Sequence, residues 1–220
     1  MILNVLNEFD VIIFDCDGVL INSNFLKCEA FGKSVEEYPK NIVDSFVEHC
    51  KESFGTSRYI KFKEFFSVFA NEPFDEEKYH IFLGRYNKLC KELYNIADLT
   101  PSLKKVLSTL NDTGHKLFVA SGSDENELIE VFKKRNLIKY FKEIYGSPKS
   151  KNECIASILN ENFGLKAVLI GDTISDLNTA RECGLDFIYM NKYTVQSKEQ
   201  DEECRRGANI VISTLKDLCI

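Results

Sequence analysis

The sequence predicts an α/β fold: a Rossmann-like, doubly wound and mostly parallel sheet with an inserted α-helical domain. After residue 98, short apolar runs alternate with helical patterns, as they do in successive βαβ units. An apolar run at residues 11–14 predicts a further buried strand. Residues 22–98 contain no convincing strand. We therefore expect residues 1–21 and 99–220 to form the core domain and residues 22–98 to form the helical insertion.

Six short runs rich in apolar residues predict the strands of this sheet. They lie at residues 11–14, 116–120, 143–145, 167–170, 186–190 and 209–213. Helical segments separate the later runs. We expect the first of these helices to begin with Thr100 as its cap and Pro101 in its first turn.

Aromatic and aliphatic residues recur at helical spacing within the predicted insertion. The pattern covers residues 42–54, after which Gly55 acts as a stop, and it continues over residues 62–69 and 79–93. Side chains spaced i, i+3 and i+4 lie on one face of a helix. We therefore interpret these aromatic stripes as the packing core of the helices.

Length and composition exclude several classes of protein. The chain has 220 residues, of which 44% are hydrophobic, and this is enough for a packed core. Its net charge of -6 comes without a dense stripe of Lys and Arg, so we expect no nucleic acid or anionic membrane as a main partner. No signal peptide or apolar run of about 18 residues is visible. We expect a cytoplasmic protein that is a monomer or a homodimer.

The eight cysteines and three histidines show no pattern of disulfides or metal ligands. The cysteines are scattered and contain no Cys-x-x-Cys pair, so we expect reduced residues of the core. Cys16 lies between two aspartates and is expected to pack behind their loop. The histidines lack metal-ligand spacing and are expected to be structural or on the surface.

Two carboxylates follow the first predicted strand. Asp15 stands at its carboxyl end, and Asp17 lies in a turn that Gly18 permits. Like charges this close need a counter-ion, which a magnesium ion, a lysine or a shared proton would provide. A plain turn is the alternative, since Asp and Gly are common in turns. A calcium loop of the EF-hand type is excluded, because Leu20 stands where its glycine belongs.

Polar side chains also follow the next three strands. Ser121 comes after the second strand, Lys149 and Lys151 after the third, and Asp172 and Asp176 after the fourth. Each has an ordinary structural interpretation, as a helix cap, a solvated lysine or an acidic residue at a helix start. In an open parallel sheet the carboxyl ends of the strands are where ligands bind, so we expect these side chains to form one site.

The order and spacing of these residues closely resemble the haloacid dehalogenase superfamily of phosphohydrolases, over nearly the whole chain. The resemblance is greatest to phosphoglycolate-phosphatase-like members, which carry a helical cap after their first motif. The run from Asp15 to Leu20 is similar to the first motif, Ser121 to the second, and the run from Gly171 to Asp176 to the fourth. Lys151, at a predicted helix start, is similar to the third motif, and Lys149 is the alternative.

This resemblance implies a magnesium-dependent phosphatase that hydrolyses a small phosphorylated metabolite, of the phosphoglycolate or sugar-phosphate type. Asp15 would be the nucleophile that forms an aspartyl-phosphate, and Asp17 would be the general acid and base. Mg²⁺ would be held by Asp15, the backbone carbonyl of Asp17 and Asp172, with Asp176 in a supporting role.

The resemblance also implies contacts to the substrate. Ser121, Gly122 and Lys151 would bind the transferring phosphoryl group. In the insertion, a glycine break followed by Arg58 and Lys61 resembles the substrate-specificity loop of such caps. Ordinary solvated residues at a helix start are the alternative for these two cations, although cations there oppose the helix dipole.

Two further functions remain open at this point. A phosphosugar mutase of the same superfamily would use the same Asp15 and Asp17 and would differ in how the cap excludes water. A non-catalytic receiver-like module also gathers aspartates and a lysine around magnesium, but a compact receiver lacks a long helical insertion. Haloacid dehalogenase activity is disfavoured by Asp17, which that reaction does not need.

Overall fold

Six strands form one parallel sheet in the computed structural model, which describes residues 3–219. They are β1 (Val11–Phe14), β2 (Lys116–Asp124), β3 (Glu143–Ser147), β4 (Ala167–Gly171), β5 (Asp186–Met190) and β6 (Ile210–Ile212). Their order across the sheet is β3-β2-β1-β4-β5-β6, and each neighbouring pair runs parallel. The predicted doubly wound, parallel α/β fold is confirmed.

The α-helices fall into those around the sheet and those of the insertion. In chain order they are α1 (Leu3–Leu6), α2 (Asn24–Ser34), α3 (Lys40–Glu52), α4 (Arg58–Glu64), α5 (Glu76–Ile96), α6 (Leu103–Asp112), α7 (Glu125–Lys134), α8 (Lys151–Glu161), α9 (Ile174–Cys183) and α10 (Lys198–Gly207). Short 3-10 helices occupy Ile138–Tyr140 and Leu215–Cys219.

Both faces of the sheet are covered, because successive side chains of each strand point to opposite sides. Val11 and Ile13 of β1 belong to one apolar cluster with residues of α8, α9 and α10. Ile12 and Phe14 belong to the other cluster, with residues of α6, α7 and the insertion. Every residue of β1 is therefore buried, which explains why its sequence is apolar without alternation.

The insertion between β1 and β2 consists of α2, α3, α4, a π-helix at Phe65–Ala70 and α5. Its two connections to the sheet lie side by side, since Ile21 and Leu99 form an antiparallel bridge. The predicted aromatic stripes form its core: Phe46 packs edge to face on both Phe31 and Phe65, at centroid distances of 5.9 and 4.9 Å.

Several predicted boundaries differ from the observed ones, and two of these differences change the interpretation of a residue. The strand expected at 116–120 continues to Asp124, because Asp124 pairs with Ser147 beyond an irregularity in the ladder. The helix expected to begin with Thr100 as its cap begins at Leu103 instead. The Thr100 hydroxyl donates to the Val19 carbonyl at 2.8 Å, so it fastens the loop after β1 and does not cap a helix.

The cysteines that the structure describes are reduced and mostly lie in the core, as the sequence predicts. Cys16 and five other cysteines are buried, Cys183 is partly exposed, and all seven are free thiols. Cys219 lies outside the described side chains. Within residues 3–219, no helix has both the length and the apolar character needed to cross a bilayer.

Candidate active site

The predicted site residues meet at the carboxyl edge of the sheet. Asp15 and Asp17 directly follow β1, in a loop closed by a hydrogen bond of 2.8 Å from the Gly18 N–H to the Ile21 carbonyl. Gly18 has a φ of +80°, and a Cβ there would lie 2.2 Å from Oδ2 of Asp172. Only glycine therefore allows the first loop to approach the loop after β4.

Three buried carboxylates lie close enough to share one cation. Oxygens of Asp15, Asp172 and Asp176 are all within 4.8 Å of one another, and this is the one such grouping of His, Cys, Asp or Glu found among residues 3–219. Burial raises the pKa of Asp15 to about 7, Lys151 opposes the rise, and Asp176 and Asp17 add to it. Burial, followed by Asp15 and Asp176, also raises the pKa of Asp172.

This donor set fits a hard divalent cation. Oδ1 of Asp172 is buried and has no hydrogen-bond partner among the described residues, while its Oδ2 accepts from the Asn24 amide at 2.6 Å. An unpaired carboxylate oxygen beside a second buried carboxylate is costly unless a cation balances the charge. Oxygen ligands of this kind suit Mg²⁺, which retains several waters.

Lys151 lies inside the carboxylate cluster. Its Nζ donates to Oδ1 of Asp15 at 3.0 Å and to Oδ1 of Asp176 at 2.5 Å. Burial acts to lower the pKa of Lys151, but these two carboxylates outweigh it and raise the pKa, so the side chain is a cation. Lys149 is exposed, with its ammonium 5.5 Å from the ring centre of Tyr145. The structure therefore brings Lys151, and not Lys149, into contact with the acids.

Local helix-start motifs fix two of these residues. Ser150 and Glu153 form a capping box at the start of α8, which places Lys151 in its first turn. Thr173 and Asp176 form another at the start of α9. Oδ2 of Asp176 accepts from the Thr173 hydroxyl at 2.6 Å and from its N–H at 3.1 Å. Asp176 is thus a rigid partner for Lys151.

The Asp17 carboxylate lies outside the cluster of three and is surrounded by donors. Its Oδ1 accepts from Ser23 at 2.5 Å and Tyr94 at 2.8 Å, and its Oδ2 accepts from Lys27 at 2.6 Å and Ser123 at 2.7 Å. Burial acts to raise the pKa of Asp17, but Lys27 and these hydrogen bonds outweigh it and lower the pKa. The side chain is held as a carboxylate.

Sequence reasoning missed the partners that α2 and α5 supply. Asn24 and Lys27 are buried polar residues three positions apart at the start of α2, and both face the acidic loops. This i, i+3 spacing after the first motif was a signal that could have identified them. Tyr94 comes from α5, 77 positions from Asp17, and no local pattern points to it.

A cavity of about 30 Å³ lies between the sheet edge and the insertion. Its walls include Asp15, Asp17, Ser121, Gly122, Lys27, Arg58 and Lys61. The insertion touches the sheet closely here, since a Cβ on Gly122 would lie 2.2 Å from the Gly55 carbonyl oxygen. The predicted phosphate-binding residues Ser121 and Gly122 are thus in the same cavity as the predicted nucleophile.

Arg58 and Lys61, the two cations predicted in the insertion, line this cavity but are not solvated. The alternative that they are ordinary solvated residues at a helix start is therefore wrong. Arg58 is 3% exposed, and its guanidinium donates to Glu127 of α7 at 2.5 Å and to Asn87 at 2.6 Å. Lys61 is 1% exposed, and its Nζ donates to the Cys50 carbonyl at 2.8 Å. Arg58 is thus buried between α5 and α7, and Lys61 is buried among residues of the insertion, beside Phe31 of α2 and Cys50 of α3.

Comparison with known proteins identifies the family. Residues 12–190 match the family described as haloacid dehalogenase-like hydrolase. A "Phosphorylated carbohydrates phosphatase" from Thermotoga maritima is 24% identical over 192 residues, which cover 82% of this chain and 84% of that protein.

Solved structures share the fold. The crystal structure of a predicted phosphatase from Clostridium acetobutylicum superposes with a TM-score of 0.74 at 21% identity, covering 96% of each chain. That of a predicted phosphoglycolate phosphatase from Haemophilus somnus gives a TM-score of 0.78 at 17% identity, covering 96% of this chain and 97% of that one.

The family match extends from β1 to the end of β5 and includes every predicted residue of the sheet edge. It confirms the hydrolase class expected from the sequence and disfavours the receiver-like module. The chain belongs to the haloacid dehalogenase-like hydrolase family.

Proposed function

We propose that the protein is a magnesium-dependent phosphatase that hydrolyses a small phosphorylated metabolite through an aspartyl-phosphate on Asp15. One observation carries the proposal: a buried Asp15 lies within 4.8 Å of two further carboxylates and 3.0 Å from the ammonium of Lys151. The name of the Thermotoga relative, a phosphatase of phosphorylated carbohydrates, supports the same reaction class.

Asp15 would attack phosphorus and so divide one difficult displacement into two easier ones. When bound by Asp15, Asp172 and the Asp17 backbone carbonyl, Mg²⁺ would neutralise the charge that otherwise keeps a phosphate from a carboxylate. Lys151 would orient Asp15 through the 3.0 Å contact and stabilise the phosphoryl oxygens together with Ser121. Asp176 would keep Lys151 in place.

Asp17 would act as the acid and base. In the observed arrangement four donors stabilise its carboxylate, which is the form that accepts a proton from the hydrolytic water in the second step. Protonation of the leaving oxygen in the first step needs the carboxylic acid. For esters whose leaving group needs no proton, formation of the aspartyl-phosphate would therefore depend least on Asp17, while its hydrolysis would still need the Asp17 carboxylate.

Residues 22–98 would act as the cap that covers the site. The support is that this insertion contributes Lys27, Arg58 and Lys61 to the cavity wall and packs Gly55 against Gly122. Closing a cap over reacting groups excludes water and strengthens each charge interaction. Free thiols throughout the described core suit the reducing cytoplasm, where we expect a monomer or a homodimer.

A screen of phosphate release from phosphorylated acids, sugar phosphates and an aryl phosphate, with and without Mg²⁺, tests the proposal. We expect release that requires Mg²⁺ and is lost in Asp15→Asn, an isosteric change. Conversion of a sugar phosphate into its isomer without phosphate release would identify a mutase instead. No turnover of any ester with Mg²⁺ present would overturn the proposal.

A further inference from the structure

Asn24 is a buried residue of the insertion whose side chain contacts the carboxylate cluster. It is the first residue of α2 and is 1% exposed. Its Nδ2 donates to Oδ2 of Asp172 at 2.6 Å and to the Tyr193 carbonyl at 2.9 Å. Both partners are acceptors, so the amide nitrogen must be the atom that faces them. The orientation of the Asn24 amide is therefore fixed, with Oδ1 on its other side.

Oδ1 of Asn24 is buried and accepts no hydrogen bond from the described residues. Within residues 3–219, two other buried side-chain atoms also lack a partner, Oδ1 of Asp172 and Oε1 of Glu127. Two of these three atoms thus belong to one hydrogen-bonded pair of side chains. A buried oxygen that has lost water without gaining a donor destabilises the fold. Two such oxygens in one pair indicate a ligand that offers donors or positive charge.

The loop after β1 packs against the same amide. A Cβ on Gly18 would lie 2.4 Å from Nδ2 of Asn24 and 2.2 Å from Oδ2 of Asp172. Asn24 therefore touches the backbone that directly follows Asp17, whose carbonyl is a proposed metal ligand. The insertion thus adds a third element at the point where the loops after β1 and β4 meet.

A purely structural role for Asn24 explains this arrangement poorly. The hydrogen bond to the Tyr193 carbonyl would tie α2 to the loop after β5, but it uses the amide nitrogen alone and leaves the buried oxygen unexplained. Nor is the side chain needed for helix capping, because the N-cap residue of α2 is Ser23. Ser23 itself makes no side-chain capping bond and donates to Asp17 at 2.5 Å. Both polar side chains at the start of α2 are therefore directed to the acidic loops.

We propose, on the basis of the magnesium-dependent function proposed above, that Asn24 is a positioning residue of the divalent-cation site. Its Nδ2 holds Oδ2 of Asp172, so that Oδ1 of Asp172 stays free for the cation. Its Oδ1 accepts a hydrogen bond from a water on the cation, and Mg²⁺ keeps several such waters. One hydrated cation thereby satisfies both unpaired oxygens and ties α2 to the site.

Calorimetric titration of Mg²⁺ into metal-free protein tests this role. Asn24→Leu keeps the approximate size of the side chain and removes its hydrogen-bonding atoms. Asn162→Leu is the matched control, since Asn162 is also buried and hydrogen-bonded but lies beside Lys116, at the opposite edge of the sheet. We expect Asn24→Leu to weaken the Kd for Mg²⁺ by about ten- to a hundredfold. The control should leave this Kd within about twofold, because distant sites rarely couple.

The variant Asn24→Asp keeps an oxygen acceptor and replaces the donor with a second oxygen. Without metal, its carboxylate would face that of Asp172, so we expect a lower midpoint of urea unfolding than in wild type. Saturating Mg²⁺ should raise the midpoint of Asn24→Asp by more than that of wild type, because the added charge also attracts the cation. An equal or smaller rise, or failure to fold with Mg²⁺ present, would contradict the role in the cation site.

The Mg²⁺ dependence of phosphate release separates positioning of the cation from general damage to the fold. In Asn24→Leu, the half-saturating Mg²⁺ concentration should rise by more than kcat at saturating Mg²⁺ falls. A lower kcat with unchanged Mg²⁺ dependence, or an unchanged Kd for Mg²⁺, would overturn the role of Asn24 and leave the phosphatase proposal intact. An Asn24-dependent Kd in a protein that hydrolyses no ester would support the role and count against the proposed reaction alone.

Discussion

Nζ of Lys27 lies 2.6 Å from Oδ2 of Asp17, and this buried ion pair joins the insertion to the end of β1. Lys27 also donates to Ser123 of β2 at 2.5 Å, and the ring centre of Tyr94 lies 4.8 Å from its ammonium. The first helix of the insertion, the acid and base of the proposed reaction and the second strand therefore form one polar network. Movement of α2 would change the hydrogen bonds of Asp17.

Lys27→Met should destabilise the protein strongly. It removes one partner of a buried pair and leaves the Asp17 charge without its cation, which typically costs about 3–5 kcal/mol. The free energy of unfolding in urea would measure the loss, with the exposed Lys33 of the same helix changed to Met as the control. A double variant with Asp17→Asn should recover part of the stability. A loss of less than about 1 kcal/mol in the single variant would show that the pair contributes little.

Gly18→Ala should lower stability and activity by more than the strain of a side chain at a positive φ alone would cause. Gly18 and Gly114 have similar φ values, +80° and +88°, but only at Gly18 would a Cβ meet Asp172, at 2.2 Å. Gly114→Ala therefore isolates the conformational cost, of about 1–2 kcal/mol. We expect Gly18→Ala to lose more stability than the control and also to lose phosphate release. Similar behaviour of the two variants would argue against the close contact of these loops.

Lys151→Ala should lower kcat by roughly a hundredfold, because a deleted charge-stabilising contact in a water-excluded site raises the barrier by about 3 kcal/mol. Lys149→Ala, a change two positions away at an exposed side chain, should leave turnover within about twofold. Steady-state phosphate release from both variants, checked for folding by circular dichroism, decides between the lysines. The reverse ranking would assign the third motif to Lys149.

Much of this site was predictable because its residues stand where strands end. The apolar runs of β1 and β4 fix Asp15, Asp17 and Asp172, which directly follow these strands. Ser121 follows the predicted apolar run but lies inside the longer observed β2, where the ladder becomes irregular. The sequence indicates less directly whether Lys149 or Lys151 enters the site. This depends on the position of the capping box, which starts α8 one residue before Lys151.

The residues that Arg58 and Lys61 of the insertion contact could not be predicted in the same way. Whether Arg58 and Lys61 are solvated, paired or buried depends on how α4 packs against distant elements. Arg58 finds its counter-ion 69 positions away on α7, whereas Lys61 points between two aromatic rings. Helical periodicity identifies the apolar face of α4 but does not say which tertiary neighbour its polar residues meet.

Lys61→Met should stabilise the protein in a pH-dependent way. Burial lowers the pKa of Lys61 below its ordinary 10.5, so between the two values the unfolded chain binds more protons than the folded one. The stability of the wild type therefore rises with pH across that window. The gain from Lys61→Met should be largest below the folded pKa and shrink as the pH approaches 10.5.

Urea unfolding of wild type, Lys61→Met and the control Lys63→Met over a pH series measures this gain. The difference between wild type and Lys61→Met cancels the titration of other groups. A variant less stable than wild type at neutral pH would show that the ammonium stabilises the fold through the Cys50 carbonyl. A gain that stays constant with pH would show that burial does not perturb Lys61.

Acid-quenched mass spectrometry of the protein during turnover of an aryl phosphate locates the covalent intermediate. Asp17→Asn should accumulate one phosphoryl group on the peptide that contains Asp15, because the leaving phenolate needs no proton while hydrolysis of the intermediate lacks its base. Asp15→Asn should carry none and release no phosphate. A phosphoryl group on any other residue, or full turnover by Asp15→Asn, would contradict a reaction that proceeds through Asp15.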